Sequence, residues 1–290
     1  MCKVAVMTDS NSGITQKEAK ELGVFVIPMP FTINGDEYFE DINLTQEQFY
    51  EHLIGGANVF TSQPAVGDVT KFYNDILKEY DEIIHIPMSS GLSGSCQTAL
   101  MIASEKEYKD KVYVVDSQRI SVTQKWDVLN ALKLAKQGKS GKEIHDILMA
   151  TKLDASIYIT VNTLEYLKKG GRVTPAAAAL GGLLKIKPIL SIQGEKLDSF
   201  EKTRTIAKAE KIMIDALIKD INERIDPEGK GNNCQLFVAY TYDKSPAENI
   251  IKMLKDAYPQ HNIICDPLSL SVSCHIGPYA FGVGVAKKIA

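Results

Sequence analysis

The sequence predicts an α/β protein of two α/β domains. The first is a parallel-sheet, Rossmann-like N-terminal domain, and the second a smaller C-terminal one. Three observations carry this. Short apolar runs (Val4 to Met7, Val24 to Ile27, Glu82 to Pro87, Val112 to Val115) alternate with amphipathic helical patterns, as expected of a parallel sheet covered on both faces. Polar clusters follow apolar runs at Asp9-Ser10, Thr61-Ser62, Ser89 to Ser95 and Asp116-Ser117. In open α/β sheets ligands sit outside the carboxyl ends of the strands, so the four clusters are expected to converge on one edge. Finally, 290 residues, 44% of them hydrophobic, are enough for one large domain or two. The boundary falls near 155–165, giving 1–160 and 161–290.

The elements follow in order. After the first strand, Thr15 to Leu22 reads as a helix. Phe31-Thr32-Ile33 and Glu37-Tyr38-Phe39 flank Asn34-Gly35-Asp36, a hairpin signal. Thr45 with Gln48 makes a capping box that opens a helix to Leu53. Val69, Phe72, Tyr73, Ile76, Leu77 and Tyr80 form one apolar stripe. The strand at 82–87 runs into Ser89-Ser90-Gly91-Leu92-Ser93-Gly94-Ser95, and Cys96, Ala99, Leu100 and Ala103 leave it at helical spacing. Helices near 122–136 and 140–150 flank Gly138, and Ser156 to Thr160 is a strand. A short helix ends at Gly170-Gly171 and presents Arg172 on an exposed tip. Residues 175–184 read as a helix, Pro188 to Ile192 and Lys196 to Phe200 as a hairpin, and Thr205 to Ile225 as a long helix. A strand (Leu236 to Tyr240) and a helix (Ala247 to Tyr258) follow. Leu268 to Ser273 alternates as a half-buried strand that delivers His275.

Composition narrows the function. A net charge of −3 without long basic runs argues against tracking a nucleic-acid backbone. The five cysteines are scattered, with no CxxC and no histidines at metal spacing, which implies reduced thiols in a cytoplasmic protein and no metal site. The longest apolar run, Ala176 to Leu184, is too short to span a membrane.

The Ser89–Ser95 stretch is a strand-to-helix turn. Its glycines allow close backbone approach, and its hydroxyls join the unpaired N–H groups of a helix start. Such a turn holds an anion, or is simply a serine-rich cap. Neutral donors at Thr61, Ser62, Ser93 and Ser95 suit a buried carboxylate. His275 either joins them or is a satisfied core histidine, and Arg172 either reaches a phosphate or partner protein or is a solvated charge. A hydrolase or acyltransferase using Ser93 with His275, oriented by Asp9 or Asp116, is the alternative. The stretch Gly91-Leu92-Ser93-Gly94-Ser95 lacks the last glycine of a nucleophile elbow. A sensor of a small non-lipid anion is a third reading. No nucleotide-binding glycine motif is present.

Six motifs occur in a telling order: TSQP at 61–64, SSGLSGS at 89–95, DS at 116–117, LEYLKKGGR at 164–172, IKPIL at 186–190 and HIGP at 275–278. In these the chain resembles the DegV family over nearly its whole length. The resemblance implies two α/β domains holding one long-chain fatty acid between them, carboxylate at the interface and acyl chain in an apolar tunnel. It further implies a carrier without catalytic residues or cofactor, similar to the acyl-carrier subunit of bacterial fatty acid kinase, whose separate kinase subunit makes the acyl phosphate. By the same resemblance Thr61 and Ser93, with Ser62 beside them, hold the carboxylate, Gly94 adds a backbone N–H, and His275 stands near the head group. Arg172 then lies where the kinase subunit is met. The chain departs from the family pattern at Ser95, Cys96 and Tyr279, in the first loop (DSNSGI), and at Ser121 to Trp126, where Lys125 and Trp126 either shape the tunnel or face solvent.

Overall fold

A computed structural model describes residues 3–179, 186–194 and 196–289. The chain runs β1 (Val4–Asp9), α1 (Gln16–Leu22), β2 (Phe25–Ile27), β3 (Pro30–Ile33), β4 (Asp36–Phe39), α2 (Gln46–Ile54), β5 (Val59–Thr61), α3 (Val66–Ile76), β6 (Glu82–Ile86), α4 (Ser95–Ala103), β7 (Val112–Val114), α5 (Ser121–Lys136) and α6 (Gly141–Ala150). It continues with β8 (Ala155–Thr160), α7 (Glu165–Gly170), α8 (Pro175–Ala179), β9 (Lys187–Ile192), β10 (Asp198–Thr203), α9 (Ile206–Asp220), β11 (Cys234–Tyr240), α10 (Ser245–Ala257), β12 (Ile263–Pro267), α11 (Leu270–Ile276) and β13 (Phe281–Lys287).

The first sheet is parallel throughout, in the order β2-β1-β6-β7. Its strands read as continuous apolar runs because both faces are covered. Met7, Ile83 and Val112 pack towards α3 and α4, while Val6, Ile84 and Ile86 pack towards α5 and α6. Among the described residues the second sheet has six strands, β10-β9-β8-β13-β11-β12, antiparallel except for the pair β11–β12. A separate antiparallel sheet, β4-β3-β5, carries the hairpin. Its turn is Asn34-Gly35, both at positive φ, the geometry that two-residue hairpins require.

The α/β architecture and the parallel N-terminal sheet are as the sequence predicts, and so is the capping box: Thr45 and Gln48 exchange bonds at the start of α2. Three readings change. β5 lies in the hairpin sheet, so Thr61 reaches the others from outside the parallel sheet. β8 pairs with β9 and β13, so the second, six-stranded sheet begins at Ala155. The long helix is regular only to Asp220 and continues to Ile225 as a π-helical turn. Residues 268–273 are not a strand: Leu270–Ile276 is α11, buried nearly all round. Of the helix expected at 175–184, α8 covers Pro175–Ala179, and residues 180–185 lie outside the described residues.

Two elements join the sheets. α5 contacts β1 and β6 on one side and β11 and β13 on the other. It therefore buries residues around most of its circumference and lacks a single apolar face. Lys125 on α5 bridges Glu18 on α1 (2.8 Å) and Asp266 on β12 (2.9 Å). The Trp126 indole donates to the Lys287 carbonyl (3.1 Å). Neither residue lines the cavity described next; both tie the sheets together. α11 is the second joint. Its Ser271 hydroxyl donates to Asn11 Oδ1 (2.6 Å), Tyr50 donates to Ser273 Oγ (2.9 Å), and Leu270 N–H donates to Glu40 (2.7 Å).

Candidate ligand-binding cavity

Between the carboxyl edge of the parallel sheet and the α5-facing side of the second sheet lies a cavity of about 220 Å³. Met88, Leu92 and Val122 line it from one side, and Ile157, Ile159 and Ile192 from the other. Thr61, Ser62, Ser93, Gly94, Arg172 and His275 all reach its wall. These six residues come from four segments spread over more than two hundred positions, and only folding brings them together.

The Ser89–Ser95 turn is built to a fixed shape. Ser89 N–H donates to the Arg119 carbonyl (2.9 Å), and the Ser89 carbonyl accepts from Leu92 and Ser93 N–H (3.0 and 3.1 Å). Ser90 donates through its hydroxyl (2.6 Å) and its N–H (3.2 Å) to the Asp116 carboxylate. Asp9 accepts from Met88 N–H (2.8 Å), from Asn11 N–H (3.0 Å) and from the Gln124 amide (3.2 Å). Asp9 and Asp116 thus brace the turn from behind, and neither lines the cavity. Full burial raises the Asp9 carboxyl above its ordinary pKa, against the lowering effect of those donors. Ser93 Oγ accepts from Ser95 N–H (3.2 Å) in a tight side-chain turn, which leaves its own proton free to donate. Gly94 leads into α4, where the start of the helix leaves N–H groups without intrahelical acceptors.

Opposite this turn, Thr61 Oγ1 lies 2.8 Å from His275 Nε2. Burial, with the nearby Arg172 charge adding to it, pushes the His275 pKa down to about 4. The imidazole is therefore neutral at pH 7. If Nε2 carries the proton, it donates to Thr61 and turns the Thr61 hydroxyl outward as a donor. The His275 ring rests on Gly170, where any Cβ would collide with it. The glycine pair at the end of α7 thus makes room for His275 as well as capping the helix, a role the sequence pattern did not suggest.

Arg172 differs from its expected place on an exposed tip. It is half-buried and folds inward, donating to the carbonyls of Leu92 (3.3 Å) and Gly170. Both acceptors are neutral carbonyls, so it brings positive charge to the mouth of the cavity. Gln63, not singled out in the sequence, also lines the mouth, and its amide donates to Thr98 on α4 (3.0 Å). Tyr279 takes the left-handed backbone of a glycine (φ +62°), but its ring is exposed and meets the Tyr242 ring edge-to-face at 5.0 Å. The serine-hydrolase alternative finds no support, since the histidine is paired with Thr61 and not with Ser93. No group of three or more His, Cys, Asp or Glu among the described residues is placed to hold a metal. No helix among them is long and apolar enough to cross a membrane.

The fold as a whole has counterparts of known structure. A DegV family protein from Thermus thermophilus, described as fatty acid binding, superimposes with a TM-score of 0.88 at 27% identity, covering 98% of this chain and 99% of that one. DegV of Bacillus subtilis, described as a fatty acid binding protein, gives 0.86 at 29% identity over 99% and 100% of the two chains. In sequence, the DegV domain-containing protein SA1258 of Staphylococcus aureus is 31% identical over 99% of this chain and all of its own length. The family model described as "Uncharacterised protein, DegV family" matches residues 3–288. Over its whole described length, in sequence and in fold, the chain belongs to the DegV family.

Proposed function

We propose that this protein binds one long-chain fatty acid and presents it to a separate kinase subunit, catalysing nothing alone. One observation carries the reading: a cavity with a mostly apolar lining brings Thr61, Ser93, Gly94 and His275 to the same wall. The carboxylate is held by Thr61, Ser93 and the Gly94 N–H, with Ser62 and His275 beside them. Charge-assisted bonds from neutral hydroxyls satisfy a carboxylate that would otherwise cost several kcal/mol to bury. About 15 methylenes at roughly 0.8 kcal/mol each set a gross ceiling near 12 kcal/mol, reduced by the ordering of the chain. Apolar burial thus dominates affinity, and the hydroxyls fix which end faces the mouth. The two structural neighbours described as fatty acid binding support this assignment. Arg172 stands at the rim, where a partner that phosphorylates the carboxylate would meet it.

Native mass spectrometry of the purified protein, followed by solvent extraction, tests the proposal. The expected result is one long-chain fatty acid per chain, lost from a Thr61→Ala/Ser93→Ala double variant that keeps its fold. A protein that comes up empty and takes up no added fatty acid would refute it.

A further inference from the structure

We infer that β13 is the chain-length gauge of this cavity, with Gly282 and Gly284 as its groove and Phe237 as its stop. The inference rests on the fatty-acid reading above and assigns specificity within it. β13 alternates as a strand must. Phe281, Val283 and Val285 pack in the core with residues of α9 and α10, and the stretch Gly282-Val283-Gly284 lines the cavity, its two glycines presenting no side chain to it. Register makes the groove explicit. One rung across the sheet reads Ile159–Gly282–Ala239, and the next Ile157–Gly284–Phe237. A strip without side chains therefore runs down the middle strand, walled by Ile157 and Ile159 on β8.

The groove starts near the polar end, because His275 to Tyr279 lead directly into β13. It ends one pleat beyond Gly284. Ala286, the next residue on that face, is buried against Val122 and Phe237. The Trp126 ring meets Phe237 edge-on at 6.0 Å, and its indole N–H is tied to the Lys287 carbonyl. Gly284 lines the cavity, whereas Phe237, Trp126 and Ala286 do not. The stop is thus an aromatic ring held by a second ring anchored to the same strand. One pleat repeat, about 6.6 Å, matches about five methylenes of an extended chain. Changes at these positions therefore read out in whole carbons.

The two glycines are not equivalent. A Cβ at Gly282 would sit 2.7 Å from the Tyr158 carbonyl oxygen, so that glycine serves close strand approach. A Cβ at Gly284 would have its nearest neighbours at 3.4 Å (Ser156 O), 3.6 Å (Phe237 Cβ) and 3.7 Å (Ile157 Cγ1), which is ordinary contact. Position 284 therefore accepts a side chain that fills the groove without breaking the sheet.

The test measures binding of a saturated series, dodecanoate to icosanoate, to the delipidated full chain, with thermal melts as a fold control. Gly284→Val should move the optimum to shorter acids, each excluded methylene weakening binding about fourfold. Gly284→Ala, the milder filling, should move it the same way by less. Phe237→Leu should move it to longer acids. Opposite shifts from filling and from opening establish the gauge. Unchanged length profiles in variants that melt like the parent overturn it and leave fatty-acid binding standing. A parent chain that binds no member of the series defeats the fatty-acid reading itself, and the gauge with it.

Discussion

His275 shows how one residue acquires its role from its surroundings. Its imidazole is wedged between Thr61 and Gly170, and burial keeps it neutral. A histidine whose folded pKa is depressed contributes stability that is complete above its ordinary value near 6.5 and is lost as pH falls towards about 4. An NMR titration should place its midpoint near 4, and a midpoint close to 6.5 would show that the ring is solvated. Gly170→Ala should push the ring off Thr61 and weaken fatty-acid binding by about 1–2 kcal/mol, roughly one lost hydrogen bond. Calorimetric titration against the parent measures this; equal affinities would mean that the Thr61–His275 contact does not matter to binding.

At the scale of elements, α11 decides most. Leu-Ser-Leu-Ser-Val-Ser alternates perfectly and reads as a half-buried strand, yet it is a helix. Buried on nearly every side, it has no solvent face to be polar, and its serines find partners in Asn11 and Tyr50. Periodicity reports which face is wet, so it fails where no face is. Glu40 lies beneath the start of this helix and accepts from Leu270 N–H, while burial pushes its pKa up to about 8. The unfolded chain releases that proton near 4.5, so this group costs stability as pH rises from about 4.5 to 8. Glu40→Gln cannot ionise and still accepts from Leu270. It should therefore raise stability above pH 8 by on the order of 3–5 kcal/mol and have little effect near pH 4. Thermal melts across that range measure the difference, and a gain independent of pH would count against ionisation as its cause.

The whole molecule depends on the joint between its sheets. Lys125, largely buried, stands between Glu18 and Asp266 and so links α1, α5 and β12. The sequence left open whether Lys125 and Trp126 shape the tunnel or face solvent, and the fold gives them a third role. Lys125→Met leaves two carboxylates facing each other and should destabilise the protein by about 1–3 kcal/mol. The loss should shrink in high salt, which screens their repulsion. Urea unfolding at low and high salt measures both effects. A loss that is the same at both would point to packing of the lysine stem instead.

Much of this was legible in the chain alone. Apolar runs of strand length between amphipathic stripes determined the parallel sheet, because a strand covered on both faces has no polar alternation to show. Asn34-Gly35 determined the hairpin, since few other residues take that backbone cheaply. The serine-glycine turn after Glu82–Ile86 and the ordered motifs marked the polar end of the cavity and the family. Tertiary structure alone decided the rest. It moved Thr61 to a different sheet, turned Arg172 inward, changed a strand to α11 and set Gly282 and Gly284 against the cavity. Each of these depends on what lies opposite a residue across the fold, in places between segments more than two hundred positions apart. Local pattern carries the preferences of the backbone and the wetness of a face, but not the identity of the neighbour.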